Sequence, residues 1–305
     1  MSAETATSPS AVMDLVLRLR AFELFHGLPL ESLHGLALAA DVVRLAPGQQ
    51  LARTGEPWRA LNLVLQGTLE APRTDMEPVS RERAELMGAL AVLSGTPLPC
   101  PIVARGTVDL LRVPADVLTE VLEEDFGATF EVLRNVARLL VEGPVVSGGL
   151  PPGPAPREPR SLDLVERMML LRRAFRLESA SLTSFADLAR SATLSVAEGS
   201  QPLWRAGDPA SEAVLVVAGS VELRATPRGD TQRVGAQGVL GALDLIASIP
   251  RRYDALPSAG TVLLHLPAPQ MLSMLEDHFD AALDVIAVLS RDALKLLCGC
   301  AELPS

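Results

Sequence analysis

The residues with the readiest chemistry are few. Cys298 and Cys300 stand one residue apart, a spacing that could serve a redox pair or two soft metal ligands. A structural zinc site needs four ligands, and no histidine lies beside these two. They read as incidental thiols, and with Cys100 they make an odd count of three, which does not describe a disulfide framework. His26, His34, His265 and His278 are scattered, with no two at metal-ligand spacing on one helix. They read as surface or internally satisfied histidines, and no metal is expected. Trp58 and Trp204 lie near corresponding turns and read as packing residues. No nucleophile–base arrangement, paired carboxylate or glycine-rich phosphate loop is visible. An enzyme is therefore the least expected reading.

Composition narrows the partners. The 305 residues carry a net charge of −10, and nucleic-acid affinity comes mainly from Lys and Arg neutralising phosphates, so no nucleic acid partner is expected. No run of about 18 apolar residues is present, so no membrane span is expected. The start, Met1 to Ser10, has neither a basic segment nor an apolar run, which excludes a secretory signal of the usual kind and points to the cytoplasm. Hydrophobic residues make up 48% but aromatics only 3%, so the cores must be built from Leu, Val and Ala.

The elements that position any site come in two copies. Val43–Gly48, Gly55-Glu56-Pro57 and Leu63–Glu70 recur as Leu194–Gly199, Gly207-Asp208-Pro209 and Leu215–Glu222. The offset is 151 residues at Gly48 and 152 at Gly55 and Gly67. It becomes 153 at Gly88, Pro97, Pro114 and Phe126, which match Gly241, Pro250, Pro267 and Phe279. Between the copies, residues 142–160 hold six Pro and four Gly, a composition that favours an extended spacer over a packed core. The expected domains are 12–141 and 161–300, joined by a linker over 142–160.

Within a copy, Leu164, Val165, Met168, Leu171 and Phe175 recur at helical spacing near the start. Short strands punctuated by glycine follow. Leu61, Leu63 and Leu65 alternate with Asn62, Val64 and Gln66, and Val214–Val217 runs into Gly219. Such a pattern predicts a mainly β fold with flanking α-helices, in two tandem double-stranded β-helix or jelly-roll domains. Each copy closes in a helix with an apolar stripe: Phe130, Leu133, Ala137 and Leu140 in the first, Ile286, Leu289, Ala293 and Leu297 in the second. These stripes pack on their own roll, or form a seam between copies or in a homodimer.

The glycine pattern resembles that of cyclic nucleotide-binding domains. The phrases Gly55-Glu56 and Leu65-Gln66-Gly67-Thr68-Leu69-Glu70 carry the likeness, repeated at Gly207-Asp208 and Val217–Glu222. The resemblance covers about residues 20–141 and 170–298. It implies a phosphate-binding cassette: Gly-Glu, a short helix, then Pro-Arg and two small residues. Backbone N–H groups at the helix start would hold the cyclic phosphate, the arginine would pair with it, and the glutamate would accept from the ribose hydroxyl.

Copy two keeps part of this. Gly241 takes the glycine place, Ala242 replaces the glutamate, Leu243 follows, and Pro250-Arg251 keeps the Pro-Arg step. Arg252-Tyr253 departs from the small residues. Arg251 is either a phosphate anchor or one of two surface arginines in a turn, and Tyr253 either stacks on a base or fills the pocket mouth. Asp244 places a negative charge that would repel a phosphate nearby. Copy one keeps Gly88 but has Ala89 for the glutamate and Pro97-Leu98 for Pro-Arg. Losing both charged contacts costs roughly 3–6 kcal/mol, or two to four decades of affinity, so copy one is not expected to bind a cyclic mononucleotide in the usual way.

The resemblance implies a non-enzymatic regulatory or scaffold protein that acts through an unidentified protein partner, without a cofactor. The alternative is a sensor whose second domain binds cAMP, cGMP or another small anionic ligand through Gly241, Ala242, Leu243, Arg251 and Tyr253. A transcription regulator would need a helix-turn-helix after the roll, and the residues beyond the last helix are too few for one.

Overall fold

The computed structural model describes residues 9–71, 79–81, 86–97, 101–141, 161–177, 182–199, 201–225 and 231–298. Leu98, Cys100, Cys300 and the expected linker at 142–160 lie outside the described residues. The chain divides into two compact units, Met1–Val136 with Ile286–Ser305, and Ala137–Val285.

Unit 1 opens with helices α1 (Pro9–Arg20) and α2 (Leu30–Leu38). Strands β1 (Asp41–Leu45), β2 (Gln50–Ala52), β3 (Ala60–Gln66), β4 (Leu69–Ala71), β5 (Val79–Arg81) and β6 (Leu86–Met87) follow. Then come the short helix α3 (Ala89–Ser94), β7 (Ile102–Ala104), β8 (Val108–Pro114), α4 (Ala115–Glu124) and α5 (Phe126–Val141). The strands form two antiparallel four-stranded sheets, ordered β1-β8-β3-β6 and β2-β7-β4-β5. Their inner faces share one core, in which Leu45, Val64, Leu69, Met87, Ile102, Val108 and Leu110 pack together.

Unit 2 contains α6 (Leu164–Ala174), α7 (Ala186–Ser191), β9 (Thr193–Val196), β10 (Glu212–Ala218), β11 (Val221–Ala225), β12 (Thr231–Val234) and β13 (Val239–Leu240). The short helix α8 (Ala242–Ile246), β14 (Tyr253–Pro257), β15 (Val262–Pro267) and α9 (Ala268–Asp277) complete it, with the start of α10 (Phe279–Cys298). One sheet runs β13-β10-β15-β9 and the other β12-β11-β14. Trp204 bridges to Ala255 on β14, taking the place that β2 has beside β7 in unit 1. The two sets of sheets thus have one strand order. A register shift interrupts β3 between Val64 and Gln66 and β10 between Val216 and Ala218, at repeat-equivalent positions. The fold is a jelly roll carrying both strands and helices.

One expectation needs correction. The chain is not mainly β: among the described residues, helices hold more positions than strands, chiefly because α5 has 16 residues and α10 has 20. Short glycine-punctuated strands dominate the sequence pattern, but a roll needs few residues per strand, whereas the closing helices are long.

Local chemistry accounts for the element ends. Asp163 caps α6 and accepts from the Glu166 backbone, while the Glu166 carboxylate accepts from the Asp163 N–H, a reciprocal capping box. Pro114 and Pro267 immediately precede α4 and α9 at φ −58° and −63°, so the fixed proline φ turns strand into helix at the same place in each unit. Both faces of β3 are covered. Val64 faces the roll core, while Leu61 and Leu63 point the other way along the pleat and are buried too. Of the closing helices' apolar residues, Leu133 is buried in unit 1, Leu140 in unit 2, and Leu294 of α10 joins the unit 1 core.

Candidate functional site

In unit 2 the chain leaves β13 and turns sharply at Gly241, whose φ of +74° is a left-handed conformation that starts α8. Ala242 and Leu243 follow, both half-buried. After α8 the chain returns through Pro250, Arg251 and Arg252 into β14, which begins with Tyr253. Gly241, Arg251 and Tyr253 come together; their partners come from elsewhere in the unit.

Arg251 points inward and is only 3% exposed. Its Nη1 donates to the Gly241 carbonyl at 3.0 Å, and its Nη2 donates to the Glu212 carbonyl at the start of β10. The guanidinium lies over the Trp204 ring, 4.0 Å from the centroid. Its Nε–H has no partner among the described residues. The backbone on either side is pinned as well, since the Arg251 N–H donates to the Asp208 carbonyl and its carbonyl accepts from the Gly207 N–H. Burial holds the guanidinium pKa below its ordinary value, against the opposing pull of Tyr253, Asp244, Glu212 and Asp208. The charge therefore sits in a desolvated place, fixed by two backbone carbonyls and an aromatic face.

Tyr253 is buried, with its ring centroid 6.0 Å from that of Trp204. Its hydroxyl accepts from the Gly241 N–H at 2.9 Å. Burial pushes the phenol pKa up to about 12, with the Asp244 charge adding to the effect. At neutral pH the group is a neutral hydroxyl, and it takes up the backbone donor at the helix start that the resemblance would assign to a phosphate.

Asp244 is fully buried. Its Oδ1 accepts from Arg252 Nε at 2.6 Å, while Oδ2 has no partner among the described residues. Arg252 also donates to the Val141 carbonyl at 2.8 Å. Ala242 brings a methyl group to the place of the expected glutamate, and a methyl cannot accept from a ribose hydroxyl.

Unit 1 treats the corresponding glycine differently. Gly88 has φ +86° and starts α3. A Cβ built on it would stand 2.3 Å from the Trp58 ring, so an indole covers this glycine. In unit 2 the equivalent Cβ would stand 2.1 Å from Arg251 Nη1.

Two partners went unrecognised in the sequence. Trp204 reads as simple packing, yet it is the platform for Arg251. Glu212 carries no local signal, because its carbonyl reaches Arg251 across 39 positions. The structure also builds a chain of hydrogen bonds invisible in the sequence: Ser195 Oγ to His265 Nε2 at 2.8 Å, and His265 Nδ1 to Glu212 Oε2 at 3.1 Å. These residues sit on neighbouring strands β9, β15 and β10, so only the sheet register unites them. Among the described residues, no three metal-binding side chains converge, and no helix is long and apolar enough to cross a membrane.

This arrangement of sheet, left-handed glycine, short helix and Pro-Arg return can be set beside known proteins. Residues 195–278 match the family model described as the cyclic nucleotide-binding domain. The match covers the roll of unit 2 from β9 to the end of α9 and includes the whole Gly241–Tyr253 segment. Among curated proteins, the Aspergillus fumigatus protein named lysophospholipase nte1 is 29% identical over 150 residues, 47% of this chain and 10% of that protein. The chain thus spans about a tenth of that relative's length.

Among solved structures, the regulatory domain of Toxoplasma gondii PKA with cAMP aligns over 93% of this chain and 97% of that one, at 17% identity and a TM-score of 0.37. The regulatory subunit of a cAMP-independent protein kinase A from Trypanosoma cruzi, bound to guanosine, aligns over 98% and 97%, at 13% identity and 0.37. The N-terminal domain of a transcriptional regulator from Streptomyces coelicolor A3(2) aligns over 41% and 91%, at 28% identity and 0.37.

Proposed function

We propose that the chain is a non-enzymatic regulatory or scaffold protein built from two cyclic nucleotide-binding-like units, acting through protein contacts with little or no cyclic nucleotide binding. The observation that carries this reading is the state of Arg251. The residue at the phosphate anchor's place is buried, donates to the carbonyls of Gly241 and Glu212, and lies on Trp204. A phosphate would have to displace these partners or share the guanidinium with them. Tyr253 takes up the Gly241 N–H in addition, and Ala242 supplies no acceptor for a ribose. The Gly241 N–H and two nitrogens of Arg251 are thus taken up from within, and the place of the glutamate is apolar.

A second reading has one observation in its favour. The Arg251 Nε–H is buried without a partner among the described residues, and a desolvated guanidinium gains more from an anion than an exposed one does. On this reading unit 2 binds cAMP, cGMP or another small anion by taking Arg251 from its carbonyls. Calorimetric titration with cAMP and cGMP separates the two. The closed reading expects no saturable heat at micromolar nucleotide, and the sensor reading expects binding that depends on Arg251.

A further inference from the structure

Ser195, His265 and Glu212 stand on three neighbouring strands of one sheet, β9, β15 and β10. In the ladders Ser195 lies opposite Leu263 and His265 opposite Val214. Leu263 and Val214 belong to the roll core, and opposite or alternate residues share a face, so all three polar residues lie on the inner face of the sheet. They sit at its rim, since Glu212 opens β10 and His265 stands near the end of β15. The His265 and Glu212 side chains are 20% and 31% exposed, and Ser195 is half-buried. The group is therefore partly desolvated yet open to a small molecule.

Packing does not ask for these residues. The ladder positions of Ser195, His265 and Glu212 hold Val43, Arg112 and Ala60 in unit 1, where the same roll forms.

Their order has a chemical meaning. The Glu212 carboxylate only accepts, so its 3.1 Å contact places a hydrogen on His265 Nδ1. In the neutral ring Nε2 then carries a lone pair, and at 2.8 Å it accepts from the Ser195 hydroxyl. This is the sequence of a nucleophile, its general base and the group that orients the base. Glu212 is itself anchored, because its carbonyl accepts from Arg251. A backbone donor lies beside the serine as well. β9 is the outer strand of its sheet, and the Ala197 N–H donates to the Thr261 carbonyl. The bonded pairs of the ladder therefore fall at 197 and 195, and the Val196 N–H points off the open edge. Such a group can stabilise a developing oxyanion.

We propose that Ser195 is an acylation site, a serine made nucleophilic by His265 that takes the acyl group of an activated carboxylic ester. Ser195 Oγ attacks the carbonyl carbon and its proton passes to His265 Nε2. The bond from that carbon to the leaving oxygen then breaks, and the leaving alkoxide takes the proton. The products are an O-acyl serine and an alcohol, and nothing is oxidised or reduced. A single transfer is a covalent mark on a regulatory chain, not turnover. It needs no nucleotide in the cassette, so its fate is separate from that of the closed reading above.

An alkyl fluorophosphonate is the probe, because its phosphorus stands in for the acyl carbon: the Oγ–P bond forms, the P–F bond breaks, and fluoride leaves as the proton passes to His265. Peptide mass spectrometry reads the position and the rate of labelling. The expected result is a label on Ser195 of the folded chain that is absent from Ser195→Ala. Labelling should be slower by at least about a hundredfold in His265→Gln and by at least about tenfold in Glu212→Gln. No label on Ser195, or an unchanged rate in either variant, would overturn the proposal. Should a variant not fold, the unaltered chain decides alone: Ser195 labels when folded and not when unfolded in urea, and equal labelling in both states contradicts the proposal.

Discussion

Arg251 Nη1 occupies the space that a side chain on Gly241 would need, 2.1 Å from where its Cβ would stand. Any side chain at 241 would therefore force the guanidinium to move. The glycine's φ of +74° adds a second reason for its identity. Gly241→Ala should therefore displace the guanidinium from the Gly241 carbonyl and strain the turn, and it should destabilise unit 2 by about 2–4 kcal/mol. Urea denaturation measures this. A loss below about 1 kcal/mol would mean that the guanidinium is not held where the geometry puts it.

Arg251 itself should matter to stability as much as to any ligand. Arg251→Ala removes donors from the Gly241 and Glu212 carbonyls and uncovers Trp204, an expected cost of about 2–4 kcal/mol. Arg251→Met keeps an unbranched stem on the indole and should cost less than the alanine. Equal stability of both variants with the unaltered chain would indicate an exposed arginine with no structural partners.

The sole tyrosine reports on the same pocket. Tyr253 ionises near 12 in the folded chain, against about 10 when unfolded. Between these values the unfolded chain has lost the phenolic proton and the folded chain has kept it. Stability is therefore full below pH 10 and falls as pH rises from 10 towards 12, by up to about 1.4 kcal/mol per pH unit from this group. Tyrosinate absorbance of the folded chain should rise with a midpoint near 12, and in denaturant near 10. A folded midpoint at 10 would place the hydroxyl in water.

Arg252 and Asp244 form a pair in which the carboxylate is fully buried. Breaking a buried pair from one side leaves an uncompensated charge, so Arg252→Ala should cost about 3–5 kcal/mol. Asp244→Asn removes that charge, and the double variant should be more stable than Arg252→Ala alone. A thermodynamic cycle tests this coupling, and strict additivity would contradict it.

What the sequence revealed, and what it hid, follows from the range of each interaction. The family resemblance implied a short helix after Gly88 and after Gly241, and both glycines adopt the left-handed turn that starts one. The capping pair Asp163 and Glu166 is equally local but went unread. The state of Arg251 was not legible. The Pro250-Arg251 step gives no sign of whether the side chain faces outward or lies on Trp204, since its partners Glu212 and Trp204 are distant in sequence and meet it only through the roll. Ser195, Glu212 and His265 were hidden for the same reason, being united by strand register. The share of helix was underestimated because α5 and α10 show only an apolar stripe, which says little about length.

The most direct test of the closed cassette is calorimetric titration of the purified chain with cAMP and with cGMP, beside Arg251→Ala. The account predicts no saturable heat at micromolar nucleotide for either protein, because the guanidinium is committed to Gly241, Glu212 and Trp204. Micromolar binding by the unaltered chain that disappears in Arg251→Ala would contradict it and make unit 2 a nucleotide sensor.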